Sequence, residues 1–171
     1  MPPGDHVLDT NVLLVASASD PTSPFKDSPH VPPAEQRTVL EWLREFRRDP
    51  SRHLVLDSQQ ELMREYKKQL GKNDYGYQVV MAKFQTARFH RIELDEEGSA
   101  KLPEPLRTEV KDRADRKFVA VVLADARQST LVNACDTDWY DCEAALMQAG
   151  VNVDQLIDGW CRAKYAEKQG K

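Results

Sequence analysis

Apolar and polar positions divide the chain into short apolar runs separated by segments of helical spacing. The first run, Val7 and Leu8, stops at Asp9, and a second apolar stretch begins at Val12. A short run that ends at a polar residue is typical of a buried parallel strand, and the stretch after it favours a helix start. By the same pattern, further strands are predicted at 53–57, 89–94, 130–134 and 151–153.

The segments between these strands carry apolar residues at helical intervals. Helices are predicted at 34–48, 58–70, 77–88, 112–126, 138–148 and 154–166. Ser58 and Glu61 have the spacing of a capping box at the start of the second of these. The Pro- and Ser-rich segment 17–36 is predicted to be a surface loop insertion, and 154–171 a C-terminal helix and tail.

Strands that alternate with helices predict a single α/β domain over residues 1–171. Its central parallel β-sheet is expected to carry helices on both faces, in three α/β/α layers. The length of 171 residues, with 40% hydrophobic and 30% charged residues, is consistent with one globular domain.

Charge and cysteine content limit the kinds of function that the sequence supports. A formal net charge of −4 argues against a uniformly basic nucleic-acid-binding surface, although it leaves local basic faces open. The three cysteines form no CxxC pair and the four histidines are scattered, which gives a zinc site little support. Without a bilayer-length apolar segment or a signal-peptide pattern, the expected environment is reducing and cytoplasmic.

Acidic residues recur where the predicted strands and helices begin or end. Asp9 follows the first strand, and residues just past neighbouring parallel strands share one edge of the sheet. Glu61 and Glu65 are four residues apart and Asp112 and Asp115 three apart, so each pair shares one helix face, while Asp136 and Asp138 follow the fourth strand. The sequence therefore predicts an acidic cluster at the carboxyl edge of the sheet.

Such a cluster indicates a divalent cation. Carboxylates about 5 Å apart repel each other by roughly 3 kcal/mol at an effective dielectric constant near 20. Several together require protonation or a neutralising cation, and an all-oxygen donor set favours Mg²⁺ or Mn²⁺. These ions activate water and stabilise charge on phosphate, so the chemistry indicated is metal-assisted phosphodiester hydrolysis.

The motifs VLDTNVLL, DRADRKFVAVVLA and LVNACDTDW, with an acidic helix between the first two, resemble the PIN-domain nuclease family. The resemblance extends in order from residue 5 to about residue 153. It implies an endoribonuclease in which Asp9, Glu65, Asp115 and Asp136 are catalytic and hold the metal. Asn11 is expected to orient ligands or water, and Asp138, Glu61 and Asp112 to support the site. Ala134 and Cys135 depart from the Thr or Ser that many members carry there.

The resemblance also bears on partners. RNA is the expected substrate, and an antitoxin or other regulatory protein, as in bacterial VapC-type toxins, is one expected partner. A homodimer is compatible with the family, and a membrane is not expected. Candidate RNA-binding residues near the acidic positions are Arg113, Arg116, Lys117, Arg64 and Lys68.

Three alternatives stay open at this stage. Asp9 and Asp138 could instead cap the helices that follow them. The chain could be a catalytically weak PIN-like module that binds RNA or a protein, as the Ala134–Cys135 departure and low basicity suggest. A phosphatase that uses Asp9 as nucleophile ranks lower, because such enzymes commonly carry a second Asp where Asn11 stands.

Overall fold

A computed structural model describes residues 4–27, 30–94 and 102–170 and contains one five-stranded, all-parallel sheet. The strands lie in the order β3-β2-β1-β4-β5. Their bounds are β1 Asp5–Leu8, β2 His53–Asp57, β3 Phe89–Ile92, β4 Thr130–Asn133 and β5 Val153–Gln155. Strands β2 and β4 are buried along most of their length and β1 in its second half, as expected for a parallel sheet that is covered on both faces.

Helices flank the sheet, which confirms the predicted three-layer α/β/α fold. Helices α1, α2 and α4 pack against one another, and α6 packs on β1 and β4. The bounds are α1 Thr10–Ser19, α2 Pro33–Arg48, α3 Glu61–Gln69, α4 Tyr75–Gln85, α5 Leu106–Glu109, α6 Arg113–Ala124, α7 Asp138–Asp141, α8 Glu143–Gln148 and α9 Asp158–Gln169. No helix in these described segments is long and apolar enough to cross a bilayer.

The strand order creates a crevice beside β1. The chain leaves β1 toward β2 and β3 on one side, then returns to add β4 and β5 on the other. In open α/β sheets, ligands bind where the connections diverge in this way, outside the carboxyl ends of the strands. Asp9 follows β1 and Asp136 follows β4, so both acids lie at this point.

Several predicted boundaries are wrong. The fifth strand lies at Val153–Gln155 rather than at 151–153, so the C-terminal segment 154–171 begins in a strand, and its helix starts at Asp158. The predicted helix 138–148 is divided into α7 and α8. The predicted capping box is also wrong, because the Asp57 carboxylate accepts the amides of Glu61 and Leu62, each at 2.9 Å.

The predicted loop insertion 17–36 is shorter than expected. Its first three residues belong to α1 and its last four to α2, while residues 28 and 29 lie outside the described segments. The intervening chain is tied to the N-terminus of α4 through the Asp74 carboxylate, which accepts the Phe25 amide at 2.9 Å and the Ser23 hydroxyl at 3.1 Å. At least this part of the segment is therefore anchored to the body of the fold.

Gly76 allows α4 to approach α1 closely. A Cβ at this position would lie 2.7 Å from both the Cβ and the carbonyl oxygen of Leu13. We expect Gly76→Ala to lower the free energy of unfolding by about 1–3 kcal/mol, because the backbones would have to separate. Chemical denaturation measures this change. The matched control is Gly159→Ala in α9, where a Cβ meets nothing within 4 Å and no loss of stability is expected.

Candidate functional site

Asp9 is fixed at the carboxyl end of β1 and almost wholly buried. Its amide donates to the Val132 carbonyl at 3.0 Å, which continues the pairing of β1 with β4. Its Oδ2 accepts a 2.6 Å hydrogen bond from the indole Nε1 of Trp139. Asp9 stands before α1, and although its carboxylate makes no capping bond to the described residues of that helix, the nearby backbone amide of Asn11 in the first turn lowers its pKa against the rise caused by burial. Capping of α1 alone does not explain this side chain.

Asp136 is held by the turn that follows β4. Its amide donates to Oδ1 of the buried Asn133 at 3.2 Å, and its carbonyl accepts from Asn133 Nδ2 at 2.9 Å. Its own Oδ1 accepts the Asp138 amide at 2.9 Å, where α7 begins. Thr137 is the N-cap residue of α7, and Asp138 is the first residue inside the helix. The prediction that Asp138 caps this helix is therefore wrong.

Asp115 projects from the first turn of α6. The helix begins after Asp112, whose carboxylate accepts the Ala114 amide at 2.9 Å. Asp112 is exposed and Asp115 is buried. Helix α6 packs on β1 and β4, and this packing brings its first turn to the same edge as Asp9 and Asp136.

Three carboxylates meet at this edge. One oxygen from each of Asp9, Asp115 and Asp136 lies within 4.8 Å of the others, and the same limit holds for Asp112, Asp115 and Asp138. Asp115 belongs to both groups. All five residues offer carboxylate oxygens, so they fit one hard divalent cation and offer a second position beside it.

Burial and mutual repulsion raise the pKa values of these carboxyls. Burial, with the negative charges of Asp136 and Glu65, raises the pKa of Asp9 to about 7, although the Trp139 hydrogen bond opposes the change. Burial, followed by the charges of Asp9 and Asp136, raises the pKa of Asp115 to about 8. Burial also raises the pKa of Asp136. The cluster therefore favours protons or a cation in place of free charge.

Glu65 stands beside the cluster with a partner of its own. Its Oε2 lies 2.8 Å from Lys117 Nζ, and the two side chains are 24% and 11% exposed. Lys117 therefore pairs with an acid and is mostly shielded from solvent. An RNA-binding side chain would instead face the solvent. The other acid of α3, Glu61, is more exposed and pairs with Arg64 at 3.3 Å.

Asn11 positions the turn that carries Asp136. Its Oδ1 accepts the amides of Ala134 and Cys135 at 2.9 and 3.0 Å, and its Nδ2 donates to Asn133 Oδ1 at 3.0 Å. Asn11 also lines the cavity beside Asp136, and its expected role in orienting ligands or water stays a prediction. Asn133 also donates to Gln155 at 2.7 Å, so it links β4, β5 and the Asp136 turn.

The candidate RNA-binding residues have different surroundings. Arg113 and Lys68 are exposed, whereas Arg116 donates to the carbonyls of Arg107 and Val110 at 3.0 and 2.9 Å. The two hydrogen bonds from Arg116 hold the segment that precedes α6. Arg113 and Lys68 are thus exposed, and their contact with RNA stays a prediction.

Basic residues of α9 lie beside Asp136 and were not predicted as site residues. Trp160, Lys164 and Lys168 line a cavity of about 490 Å³ together with Asp136. Lys168 Nζ donates to the Thr137 hydroxyl at 2.5 Å, directly beside that acid. The three α9 residues are spaced four apart, so they share one helix face. That interval is visible in the sequence and is the signal that could have found them.

Comparison with known proteins adds no assignment, since no protein-family model, no curated protein and no solved structure matches the chain.

Proposed function

We propose that this protein is a divalent-metal-dependent endoribonuclease of the PIN-domain type. The observation that carries the proposal is the meeting of Asp9, Asp115 and Asp136 within 4.8 Å at the switch point of a parallel sheet. These residues would hold Mg²⁺ or Mn²⁺. When bound, such an ion activates water for attack on a phosphodiester and stabilises the charge that develops on the phosphate.

The residues around the cluster support this role by fixing the carboxylates. Trp139 orients Asp9 through its indole N–H, and Asn133 and Asn11 fix the backbone of the turn before Asp136. Asp115 holds a proton at neutral pH when no cation is present, because its pKa lies at about 8. Rigid positioning of ligands in this way is a general requirement of metal sites in enzymes.

The neighbouring cavity supports a nucleic acid as substrate. Lys164 and Lys168 provide positive charge for a phosphate backbone, and Lys164 Nζ lies 5.8 Å from the centroid of the Trp160 ring, which lines the same cavity. The net charge of −4 does not oppose this arrangement, since these cations are concentrated on one face of α9. The choice of RNA over DNA rests on the family resemblance.

A cleavage assay tests the proposal. Purified protein is incubated with total RNA or single-stranded DNA and Mn²⁺, Mg²⁺ or EDTA, and Asp9→Asn is purified and assayed in parallel. We expect metal-dependent cutting of RNA that EDTA and Asp9→Asn both abolish. Cutting that survives the substitution would indicate a contaminating nuclease and would count against the proposal.

The Glu65–Lys117 ion pair favours a second candidate, a weakly catalytic module that binds RNA or a protein. Glu65, one of the four expected metal ligands, is paired with Lys117 and belongs to neither group of closely spaced carboxylates. Calorimetric titration with Mn²⁺ separates the candidates, because an RNA-binding module need not bind a divalent ion. RNA binding without measurable Mn²⁺ binding would favour the module.

A further inference from the structure

A second group of metal-ligating side chains lies at the opposite edge of the sheet. Asp5 begins β1, His53 begins β2, and His90 is the second residue of β3. Asp5 pairs with His53 in the register of β1 and β2. Asp9 follows Asp5 by four positions, a distance of roughly 13 Å along a strand. This group is therefore distinct from the acidic cluster.

The donor atoms have the spacing of metal ligands. Asp5 Oδ1 lies 3.4 Å from His53 Nδ1 and 3.6 Å from His90 Nε2, and the three donor atoms are mutually within 4.8 Å. Zn²⁺ bound tetrahedrally by nitrogen and oxygen at about 2.0–2.1 Å requires its ligands to be roughly 3.3–3.4 Å apart. Small adjustments of these side chains would meet that requirement.

We propose that Asp5, His53 and His90 form a binding site for Zn²⁺ or a similar borderline transition-metal ion. Two imidazoles and one carboxylate suit such ions, whereas Mg²⁺ prefers oxygen donors alone. The Asp5 side chain is 10% exposed and each imidazole 27%, so an ion can enter from solvent. A bound ion would link the amino ends of three strands.

Arg127 provides an independent sign that this position attracts cations. Its Nη1 lies 3.8 Å from Asp5 Oδ2 and 2.7 Å from His90 Nδ1. A guanidinium and a metal ion cannot both occupy this space, because their charges repel each other. The Arg127 side chain is 61% exposed, so it can turn out into solvent when an ion binds. Arg127 therefore competes with the metal.

This competition separates a metal site from an ordinary hydrogen-bonded network. If the group were only structural, removing Arg127 would weaken it and would confer no affinity for metal. If it binds an ion, removing the competing cation tightens binding. The histidines are scattered along the sequence, which gave a zinc site little support, but the strand register brings two of them together.

Calorimetric titration with Zn²⁺ tests the proposal, on protein without a polyhistidine tag and with excess Mg²⁺ to saturate the acidic cluster. We expect one Zn²⁺ per chain. His90→Gln should weaken binding by at least about tenfold, and Arg127→Ala should strengthen it by about threefold or more. His30→Ala is the matched control, because His30 is exposed and lines the cavity beside Asp136.

Three outcomes would overturn the proposal: no Zn²⁺ binding, unchanged binding in His90→Gln, or loss of binding in His30→Ala. If His90→Gln does not fold, Asp5→Asn replaces it with the same expected loss. Titration with Co²⁺ gives a further readout, since imidazole and carboxylate ligands give no thiolate charge-transfer band. Such a band would assign the metal to a cysteine and would contradict the proposal.

Discussion

Asp115→Asn is expected to abolish metal-dependent RNA cleavage while it stabilises the metal-free protein. The carboxyl is buried beside Asp9 and Asp136, and these surroundings raise its pKa to about 8. At about pH 9 the wild-type protein must ionise Asp115 inside this cluster, whereas asparagine of the same shape carries no charge. We therefore expect a higher melting temperature for the variant when EDTA is present.

The loss of activity should be large because Asp115 belongs to both carboxylate groups. Loss of a residue that only supports a metal ligand typically costs 10- to 100-fold, so loss of a ligand should cost about 100-fold or more. Cleavage rates and thermal melts of the same preparations measure both effects. The control is Asp27→Asn, an exposed carboxyl in the loop after α1, which should change neither. Lower stability together with lower activity would instead indicate a merely structural role for Asp115.

The loss of cleavage and the gain of stability in Asp115→Asn have opposite signs, as is common for residues of functional sites. Three carboxylates that repel one another reduce stability and are retained only where another requirement outweighs the cost. The Asp57 carboxylate shows the contrast, since it is buried at the end of β2 but accepts two backbone amides of α3. Asp57 stabilises its surroundings, whereas Asp115 is stabilised only by a proton or a cation.

The sequence predicted the fold well because its strands are short, apolar and buried on both faces. Val7 and Leu8, Leu54 to Leu56, and Leu131 and Val132 all belong to the core. The fifth strand was misplaced because its position depends on pairing with β4, where Leu131 aligns with Val153. Pairing between residues that are distant in sequence overrides a local apolar run such as the one that begins at Val151.

One part of the candidate site could be predicted from the sequence, namely the residues whose positions follow from which strands are neighbours in the sheet. Asp9 and Asp136 follow adjacent parallel strands, and Asp115 lies in the first turn of a helix packed on both. The Glu65–Lys117 pair joins residues 52 positions apart on α3 and α6, and nothing in the local pattern of either helix reveals it. The Trp139–Asp9 bond, across 130 positions, is of the same kind.

The stability of the metal-free protein should fall as pH rises, and divalent cations should reverse the fall. The folded-state pKa values of Asp9 and Asp115, about 7 and about 8, lie above the ordinary value of 3.8. The folded protein therefore holds more protons than the unfolded chain between these limits. The stabilisation is complete below about pH 4 and is lost as pH rises through 7 and 8, by up to about 1.4 kcal/mol per pH unit for each titrating group.

Mg²⁺ or Mn²⁺ should oppose this loss because it takes the place of the protons. Binding to carboxyls that are protonated at neutral pH releases protons, so metal affinity should rise from about pH 6 to pH 9. Thermal melts in EDTA and in Mn²⁺ across this range measure both trends, and we expect the two curves to diverge with pH. The double variant Asp9→Asn, Asp115→Asn should flatten the EDTA curve and remove the divergence. A divergence that persists in this variant would mean that the ion binds elsewhere, and the carboxylate cluster would then lose its role as the metal site.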